Sequence, residues 1–169
     1  MTLASFIARA RRFGDNVNTD YIISSARKRE TIDASTLKQF LMEGIDPAFA
    51  ASVQPNDVIV AGKNFGCGSA MEVAATVILA AGIRAVIATS FARAFFRNAI
   101  NNGLMPIEVD TSDIVDGDRL EIGSGTALTV TNSRTGLTVA APPLPPIVER
   151  ILVDGGLVPY LRREGRFRL

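Results

Sequence analysis

The chain is organised around the segment Asn64-Phe65-Gly66-Cys67-Gly68-Ser69-Ala70-Met71-Glu72. It separates an apolar run at 57–62, typical of a buried strand, from an apolar-periodic run at 73–81, typical of a helix. Its glycines reach backbone angles that other residues avoid, and they let a ligand approach the main chain closely. The segment therefore predicts a strand, a glycine loop open to a ligand, and a helix.

Ser69 has two interpretations in this segment. The first N–H groups of a helix lack partners and favour an anion, so a serine there either caps the helix or presents a catalytic hydroxyl. Ser is a preferred N-cap residue and Ser69-x-x-Glu72 matches the capping box, so the local pattern favours the cap and a structural role for Glu72. Cys67 is predicted to be a small packing residue, because no histidine is available to activate it.

Composition limits the chemistry of the chain. Its 169 residues, 47% apolar, suit a single domain over 1–169, and a net charge of +1 gives no reason to expect nucleic acid. A single Cys excludes an internal disulfide and favours a reducing, cytoplasmic compartment. The absence of His removes the commonest general base, and one Cys cannot supply the several thiolates that usually hold an iron–sulfur cluster. No apolar run reaches the roughly 20 residues of a membrane span, and the first residues predict a strand rather than a signal peptide.

The order of the patterns predicts an α/β fold. Strand, helix, strand, helix and strand follow one another from Val58 to Val109, which predicts parallel strands with right-handed crossovers. Ser90 is predicted to cap the second helix and Gly103 to end it. Short alternating strands then run to Ala140, and a proline-rich connector leads to a final helix at 147–153. We therefore expect a parallel strand core with a β-rich C-terminal part.

The segment 24–31 is polar and basic and is predicted to be a loop that is mobile without a partner. A solvated surface is the default for such a run. Its consecutive cations Arg27, Lys28 and Arg29 could also clamp a carboxylate through paired hydrogen bonds. Asp33 or Ser35 is the expected N-cap of the helical pattern that follows.

Five blocks along nearly the whole chain resemble the small subunits of isopropylmalate-isomerase-type hydro-lyases, which correspond to the swivelling C-terminal domain of aconitase. The blocks are GDNVNTDYII at 14–23, AGKNFGCGS at 61–69, RAVIATSFAR at 84–93, NAINNGLMPI at 98–107 and GGLVPYL at 155–161. One glycine loop alone would be weak evidence, whereas five blocks in the right order and spacing are specific. The resemblance implies a single swivelling β/β/α domain.

The resemblance also implies that this chain supplies only half of an active site. The other half lies on a separate large subunit, whose own cysteines carry a [4Fe–4S] cluster, and no cofactor is expected in this chain. In the family the cluster acts as a Lewis acid on a small hydroxy-dicarboxylic acid. The small subunit contributes a serine as base and groups that hold a carboxylate. The expected reaction is the isomerisation of isopropylmalate by dehydration and rehydration, in leucine biosynthesis.

The family's motif usually reads Gly-Ser-Ser-Arg-Glu, and here the same positions read Gly68-Ser69-Ala70-Met71-Glu72. By this resemblance Ser69 is the catalytic serine, while Gly68, Ala70 and Met71 occupy substrate-binding positions. A methionine cannot form the charge-assisted hydrogen bonds of the arginine that it replaces. The basic run 27–29 lies where the family sets specificity, and its cations are candidates to restore the lost charge.

The two departures from the motif leave alternatives open. The substrate can be another hydroxy-diacid, such as the substrate of a homoaconitase, a methylated malate or maleate, or the substrate of a citraconate-type hydratase. The chain can also be a non-catalytic paralogue that lost substrate binding at Ala70 and Met71. A free-standing phosphate-binding domain is disfavoured, because the glycine loop lacks both the P-loop and the dinucleotide fingerprint.

Overall fold

Seven strands form one sheet in the computed structural model of the protein, which describes residues 3–168. Their order across the sheet is β4-β3-β2-β1-β5-β6-β7. The strands are β1 (Phe6–Arg12), β2 (Asp57–Ala61), β3 (Ala85–Ala88), β4 (Met105–Glu108), β5 (Arg119–Ser124), β6 (Leu128–Asn132) and β7 (Thr138–Ala140). Every residue of β2 and β3 is buried, as expected for parallel strands that are covered on both faces.

Strand β1 joins two kinds of pairing. It pairs in parallel with β2, which continues in parallel to β3 and β4. On its other side it pairs antiparallel with β5, followed by β6 and β7. The predicted parallel core with a β-rich C-terminal part is thereby confirmed. Because the carboxyl ends of β1 to β4 share one edge of the sheet, that edge is where a ligand site is expected.

Eight α-helices surround the sheet within residues 3–168. Helix α5 connects β2 to β3, and α6 connects β3 to β4, so both parallel crossovers are helical. The helices are α1 (Thr19–Ile22), α2 (Ser25–Glu30), α3 (Ala34–Leu37), α4 (Phe49–Ser52), α5 (Glu72–Ala80), α6 (Arg93–Asn102), α7 (Pro146–Val153) and α8 (Leu157–Glu164), with a 3₁₀ turn at Lys38–Phe40.

Two predicted helix caps are wrong. Helix α5 begins at Glu72 with Met71 in the N-cap position and no side-chain cap, so Ser69 is not the cap and the capping box does not form. Helix α6 has Ala92 as its N-cap, and the Ser90 hydroxyl instead accepts a hydrogen bond from the Asn64 N–H at 2.8 Å. In both cases the serine residue is instead hydrogen-bonded to a distant part of the chain. The contact of Ser69 is described below.

Other caps agree with the sequence. Asp33 caps α3 through the N–H groups of Ser35 and Thr36, and Gly103 ends α6 with a left-handed φ of 82°. The segment predicted as a loop at 24–31 is instead helix α2, which Ser24 caps. The helix at 146–153 is not the last, because the chain turns at Gly155 and Gly156 and forms α8.

The sheet carries an apolar cluster on each face. One cluster lies under α5 and α6 and includes Phe49, Phe65 and Ile78, each at most 1% exposed. The other contains the alternate residues of β2 and β3, such as Val58 and Ile87, together with apolar residues of β5, β6 and the loop after β4. A third, smaller cluster holds α7 and α8 against α6, and it includes the fully buried Tyr160. The loops at the carboxyl edge of the sheet therefore rest on a rigid base.

Candidate active site at the carboxyl edge of the parallel strands

The loops that follow β1 and β2 are hydrogen-bonded to each other beyond the edge of the sheet. The N–H of Asn16 donates to the Lys63 carbonyl, and the N–H of Gly66 donates to the Val17 carbonyl, both at 2.8 Å. The N–H of Thr19 then donates to the Cys67 carbonyl, also at 2.8 Å. The two loops thus extend the parallel pairing of their strands and support the glycine loop along one side.

The glycine loop also packs too closely for side chains at two positions. A Cβ at Gly66 would lie 2.2 Å from a ring carbon of Phe95, and one at Gly68 would lie 2.4 Å from Asn18 Oδ1. Both glycines have left-handed φ angles, +78° and +89°, which favour glycine. The sequence therefore needs glycine at both positions to bring the loop against α6 and Asn18.

The segment after β3 holds the glycine loop from a second side. Phe65 donates its N–H to the Ser90 carbonyl at 3.0 Å and accepts from the Ala92 N–H at 2.9 Å. The Phe65 ring packs edge-on against Phe91 and Phe95, with centroids 6.1 and 5.0 Å away. Loops after three neighbouring parallel strands therefore converge on the residues before Ser69.

Ser69 lies on the open face of this loop. Its side chain is exposed, and its hydroxyl makes no hydrogen bond within residues 3–168. Its carbonyl, in contrast, accepts a hydrogen bond of 2.8 Å from the buried Thr19 hydroxyl. The backbone of Ser69 is thus anchored while its hydroxyl is free, which suits a reacting group better than a cap.

The three neighbouring positions predicted to bind substrate differ in where they point. Gly68 and Ala70 are exposed beside Ser69. Met71 is only 3% exposed, and its side chain belongs to the apolar cluster under α5 and α6. The prediction that Met71 faces the substrate is corrected accordingly: its apolar side chain packs in the core, which an uncharged residue can do at no desolvation cost.

Gly68 and Ala70 offer main-chain donors instead of side chains. A trans peptide is planar, so the N–H of each residue points opposite to the carbonyl before it. The carbonyls of Cys67 and Ser69 both point to Thr19, so the N–H groups of Gly68 and Ala70 point away from it. Neither N–H donates to an acceptor within residues 3–168. The residues before and after Ser69 in the sequence therefore each carry a free backbone donor on the side away from Thr19.

Helix α2 is attached to the same loops through Asp20. One Asp20 carboxylate oxygen accepts from the Ser25 N–H at 3.0 Å and from the Ser25 hydroxyl at 2.5 Å. Thr19, which binds Ser69, is the residue before Asp20. Two adjacent residues thus link the serine of the glycine loop to the start of the helix that carries the predicted cations.

The three cations of α2 are not equivalent. Arg27 donates two hydrogen bonds to the Glu43 carboxylate, at 3.0 and 3.2 Å, and its guanidinium lies 3.8 Å from the centroid of the Phe40 ring. The hydrogen bond to Glu43 raises the pKa of Arg27. Lys28 and Arg29 are exposed and form no side-chain hydrogen bond or salt bridge in the described part of the chain. Arg27 is therefore committed to the fold, while Lys28 and Arg29 are free to bind an anion.

Thr19 and Asp20 are the site residues that sequence reasoning missed. In the sequence they stand only as part of the block at 14–23 that carries the family resemblance. The available signal was their place in the loop after the first strand, opposite the glycine loop that follows the next parallel strand. A cleft of about 510 Å³ does open beside this loop, but its walls include Arg12, Asp15 and Phe49 and not Ser69.

The described residues hold neither a cluster of metal ligands nor a helix that could span a membrane. Within residues 3–168, no group of three or more His, Cys, Asp or Glu side chains is placed to hold a metal ion. Cys67, the single cysteine of the chain, is half-buried in the glycine loop. In the same part of the chain, none of the helices has the length and apolarity needed to cross a bilayer.

Comparison with known proteins identifies relatives over nearly the whole chain. The sequence-family model of the aconitase C-terminal domain matches residues 12–112 of this chain. The chain is 44% identical to the 3-isopropylmalate dehydratase small subunit of Desulfovibrio desulfuricans, over 95% of this chain and 97% of the relative. It is 47% identical to the methanogen homoaconitase small subunit of Methanocaldococcus jannaschii, over 92% and 91%.

A solved structure shows the same fold. The crystal structure of a 3-isopropylmalate dehydratase from Methanocaldococcus jannaschii superposes with a TM-score of 0.88, at 43% identity and 96% coverage of both chains. The resemblance drawn from the five sequence blocks is confirmed by this match and by the relatives. The chain therefore belongs to the aconitase C-terminal domain family.

Proposed function

We propose that this chain is the small subunit of a heteromeric aconitase-type hydro-lyase that isomerises 3-isopropylmalate by dehydration and rehydration. The observation that carries the proposal is Ser69, whose free hydroxyl stands on an anchored loop at the carboxyl edge of the parallel strands. Relatives 42–46% identical over at least 90% of the chain are 3-isopropylmalate dehydratase small subunits, which supports the same assignment.

In this proposal Ser69 acts as the base. Its deprotonated oxygen takes the proton from the carbon beside a substrate carboxylate, and the electron pair of that C–H bond forms the double bond as the hydroxyl on the neighbouring carbon leaves. The leaving hydroxyl takes a proton from an acid on the large subunit and becomes water. Hydration reverses these steps and places the hydroxyl on the other carbon. A serine has little basicity by itself, so it needs oriented donors that stabilise negative charge nearby. The free N–H of Ala70 is a donor available for that purpose.

The substrate has two carboxylates, and this chain offers two kinds of group to hold them. The N–H of Gly68 suits the carboxylate nearest Ser69. Lys28 and Arg29 suit the more distant carboxylate, because a guanidinium binds that group through two parallel hydrogen bonds. Arg27 holds α2 against Glu43 and so fixes where these cations stand. Since Met71 lies in the core, α2 is the part of the chain that restores the charge missing from the motif.

The proposal requires a large subunit that carries the [4Fe–4S] cluster. The described residues of this chain do not fit such a group, because Cys67 is the single thiol and no other metal-ligand set surrounds it. When bound on the partner, the cluster supplies a Lewis acid for the leaving hydroxyl. We place the complex in the cytoplasm, where a lone cysteine stays reduced.

The test is anaerobic reconstitution with the aconitase-family large subunit of the same organism. We expect turnover of 3-isopropylmalate only when both chains and the cluster are present, followed through the unsaturated acid that dehydration forms. Turnover by this chain alone would contradict the proposal. So would a complex that assembles with its cluster and leaves every hydroxy-diacid unchanged, which would favour a non-catalytic paralogue.

A second candidate substrate class follows from two observations. Ala70 and Met71 replace a serine and an arginine of the motif, and one relative at 47% identity is a homoaconitase small subunit. The reconstituted complex should therefore be assayed in parallel with homoaconitate, methylated malates and maleates, and citraconate. If kcat/KM for one of these acids exceeds the value for 3-isopropylmalate, that acid would be assigned as the substrate, and the proposed reaction type would stay the same.

Removing the free cations of α2 should weaken substrate binding. We expect Lys28→Ala combined with Arg29→Ala to raise KM by roughly 10- to 100-fold with a smaller change in kcat, since hydrogen bonds to charged groups contribute about 1.5–3 kcal/mol each. Lys38→Ala is the matched control, because Lys38 is exposed on the 3₁₀ turn. An unchanged KM in the double variant would remove α2 from the substrate site.

A further inference from the structure

Thr19 makes two contacts that both end on the glycine loop. Its N–H donates to the Cys67 carbonyl, and its hydroxyl donates to the Ser69 carbonyl, each at 2.8 Å. Its side chain is 1% exposed, so water does not compete for either bond. The residues on both sides are fixed as well. Asn18 lies against Gly68, and Asp20 binds Ser25.

We infer that Thr19 is the positioning residue for Ser69, an inference that rests on the proposed function and extends it. Its hydroxyl holds the Ser69 carbonyl and therefore the plane of the Ser69–Ala70 peptide. That plane determines where the Ala70 N–H points, and it fixes the Cα from which the Ser69 hydroxyl projects. Thr19 itself lies beneath the loop and contacts no substrate.

The effect of losing this contact is confined to one end of the loop. In Thr19→Val the backbone N–H still holds the Cys67 carbonyl, and the branched shape still fills the buried site. The released group is the Ser69 carbonyl, which then loses its hydrogen bond and turns toward water. Since a displacement of about 1 Å can lower a reaction rate by roughly 10²-fold, the loss should appear in turnover more than in substrate affinity.

The experiment compares Thr19→Val with Thr19→Ser in the reconstituted complex. We expect the valine variant to lower kcat by about 10- to 100-fold with KM within about threefold, and the serine variant, which keeps the hydroxyl, to recover most of kcat. Thr76→Val is the matched control, because it removes a threonine hydroxyl bond to the Val73 carbonyl inside α5. Parent-like turnover in Thr19→Val would overturn the inference, and so would equal losses in the serine and valine variants.

A second readout separates this inference from the proposed function. In the isolated chain, Thr19→Val should shift the amide NMR resonance of Ala70, because the Ser69 carbonyl that loses its hydrogen bond belongs to the same peptide group, while amides in β2 keep their parent positions. Thr19→Ser should restore the parent position. If Ser69→Ala leaves turnover intact, the proposed base is wrong, and the Ala70 resonance alone then decides the positioning role. A shift in Thr19→Val that Thr19→Ser reverses supports it, and a parent-like resonance in Thr19→Val overturns it.

Discussion

Replacing Ser69 with alanine should lower kcat of the reconstituted complex by roughly 10²–10⁴-fold, the usual contribution of a general base. The loop should keep its shape, because every bond that anchors Ser69 uses its backbone: the carbonyl accepts from Thr19, and the hydroxyl has no partner within residues 3–168. The free energy of unfolding of the isolated chain should therefore change by less than about 0.5 kcal/mol, as for ordinary surface substitutions.

Because turnover should fall while stability stays nearly constant, the Ser69 variant distinguishes a catalytic base from a helix cap. A helix cap would have lost about 1 kcal/mol of stability on the same change, but α5 begins at Glu72 and has no side-chain cap. Ser133→Ala is the matched control, since Ser133 is exposed in the turn after β6 and its side chain makes no hydrogen bond in the described structure. Turnover in Ser69→Ala within about threefold of the parent would remove Ser69 as the base.

The helix start is the clearest case of what local sequence could not predict. The pattern from Gly68 to Glu72 fits a capped helix, but the chain bends at Gly68 and Ser69 and enters α5 only at Glu72. The cause is the hydrogen bond from Thr19, which lies fifty positions away along the chain. A contact between residues so far apart in sequence leaves no periodic pattern. The strands and their parallel order do leave one, because buried strand patterns alternate with helix patterns along the sequence. The fold was therefore predictable, whereas the conformation of the glycine loop was not.

Helix α2 is a second feature that local sequence could not predict. Its polar and basic residues lack an apolar stripe, so the sequence predicts a loop. In the structure Ser24 caps the segment, and Arg27 ties it to Glu43 and to the Phe40 ring. None of the six residues of α2 is buried, so these polar contacts hold the helix in place of a core. The sequence marks all three cations as candidates to bind a carboxylate, and only the structure separates Arg27, which is paired with Glu43, from Lys28 and Arg29.

A buried carboxylate at the start of β2 ties the parallel pair that carries the site. Asp57 accepts two hydrogen bonds from Arg9, at 2.7 and 2.8 Å, one from Arg11 at 3.1 Å and one from the Gln54 N–H at 3.0 Å. Burial alone would raise the pKa of Asp57, but the bonds from Arg9, Gln54 and Arg11 outweigh it and hold the pKa below its usual value. The Asp57 side chain is fully buried, while that of Arg9 is 45% exposed.

We expect Asp57→Asn to destabilise the chain by about 2–4 kcal/mol, because it leaves Arg11 without a counter-charge in a site that is 13% exposed. The melting temperature should fall by about 5–15 °C. The pKa of the carboxyl is lowered in the folded state, so its stabilisation is present above the unfolded pKa of about 3.9 and is lost as pH falls through the folded pKa. The difference between parent and variant should therefore be full at pH 7 and shrink below about pH 4.

Glu43→Gln is the matched control for that measurement. It removes the charge from another two-bond arginine pair, but both side chains there are about one-third exposed, at 35% and 28%. Solvent screens such a pair, so the loss should stay below about 1 kcal/mol. Denaturant titrations of the parent and both variants at pH 7 and pH 3 give the free energies of unfolding from which the four losses are calculated. Equal losses for Asp57→Asn and Glu43→Gln, or a gap that does not narrow in acid, would show that burial does not strengthen the Asp57 network. The loops that follow β1 and β2 would then depend on the strand pairing and the apolar clusters alone.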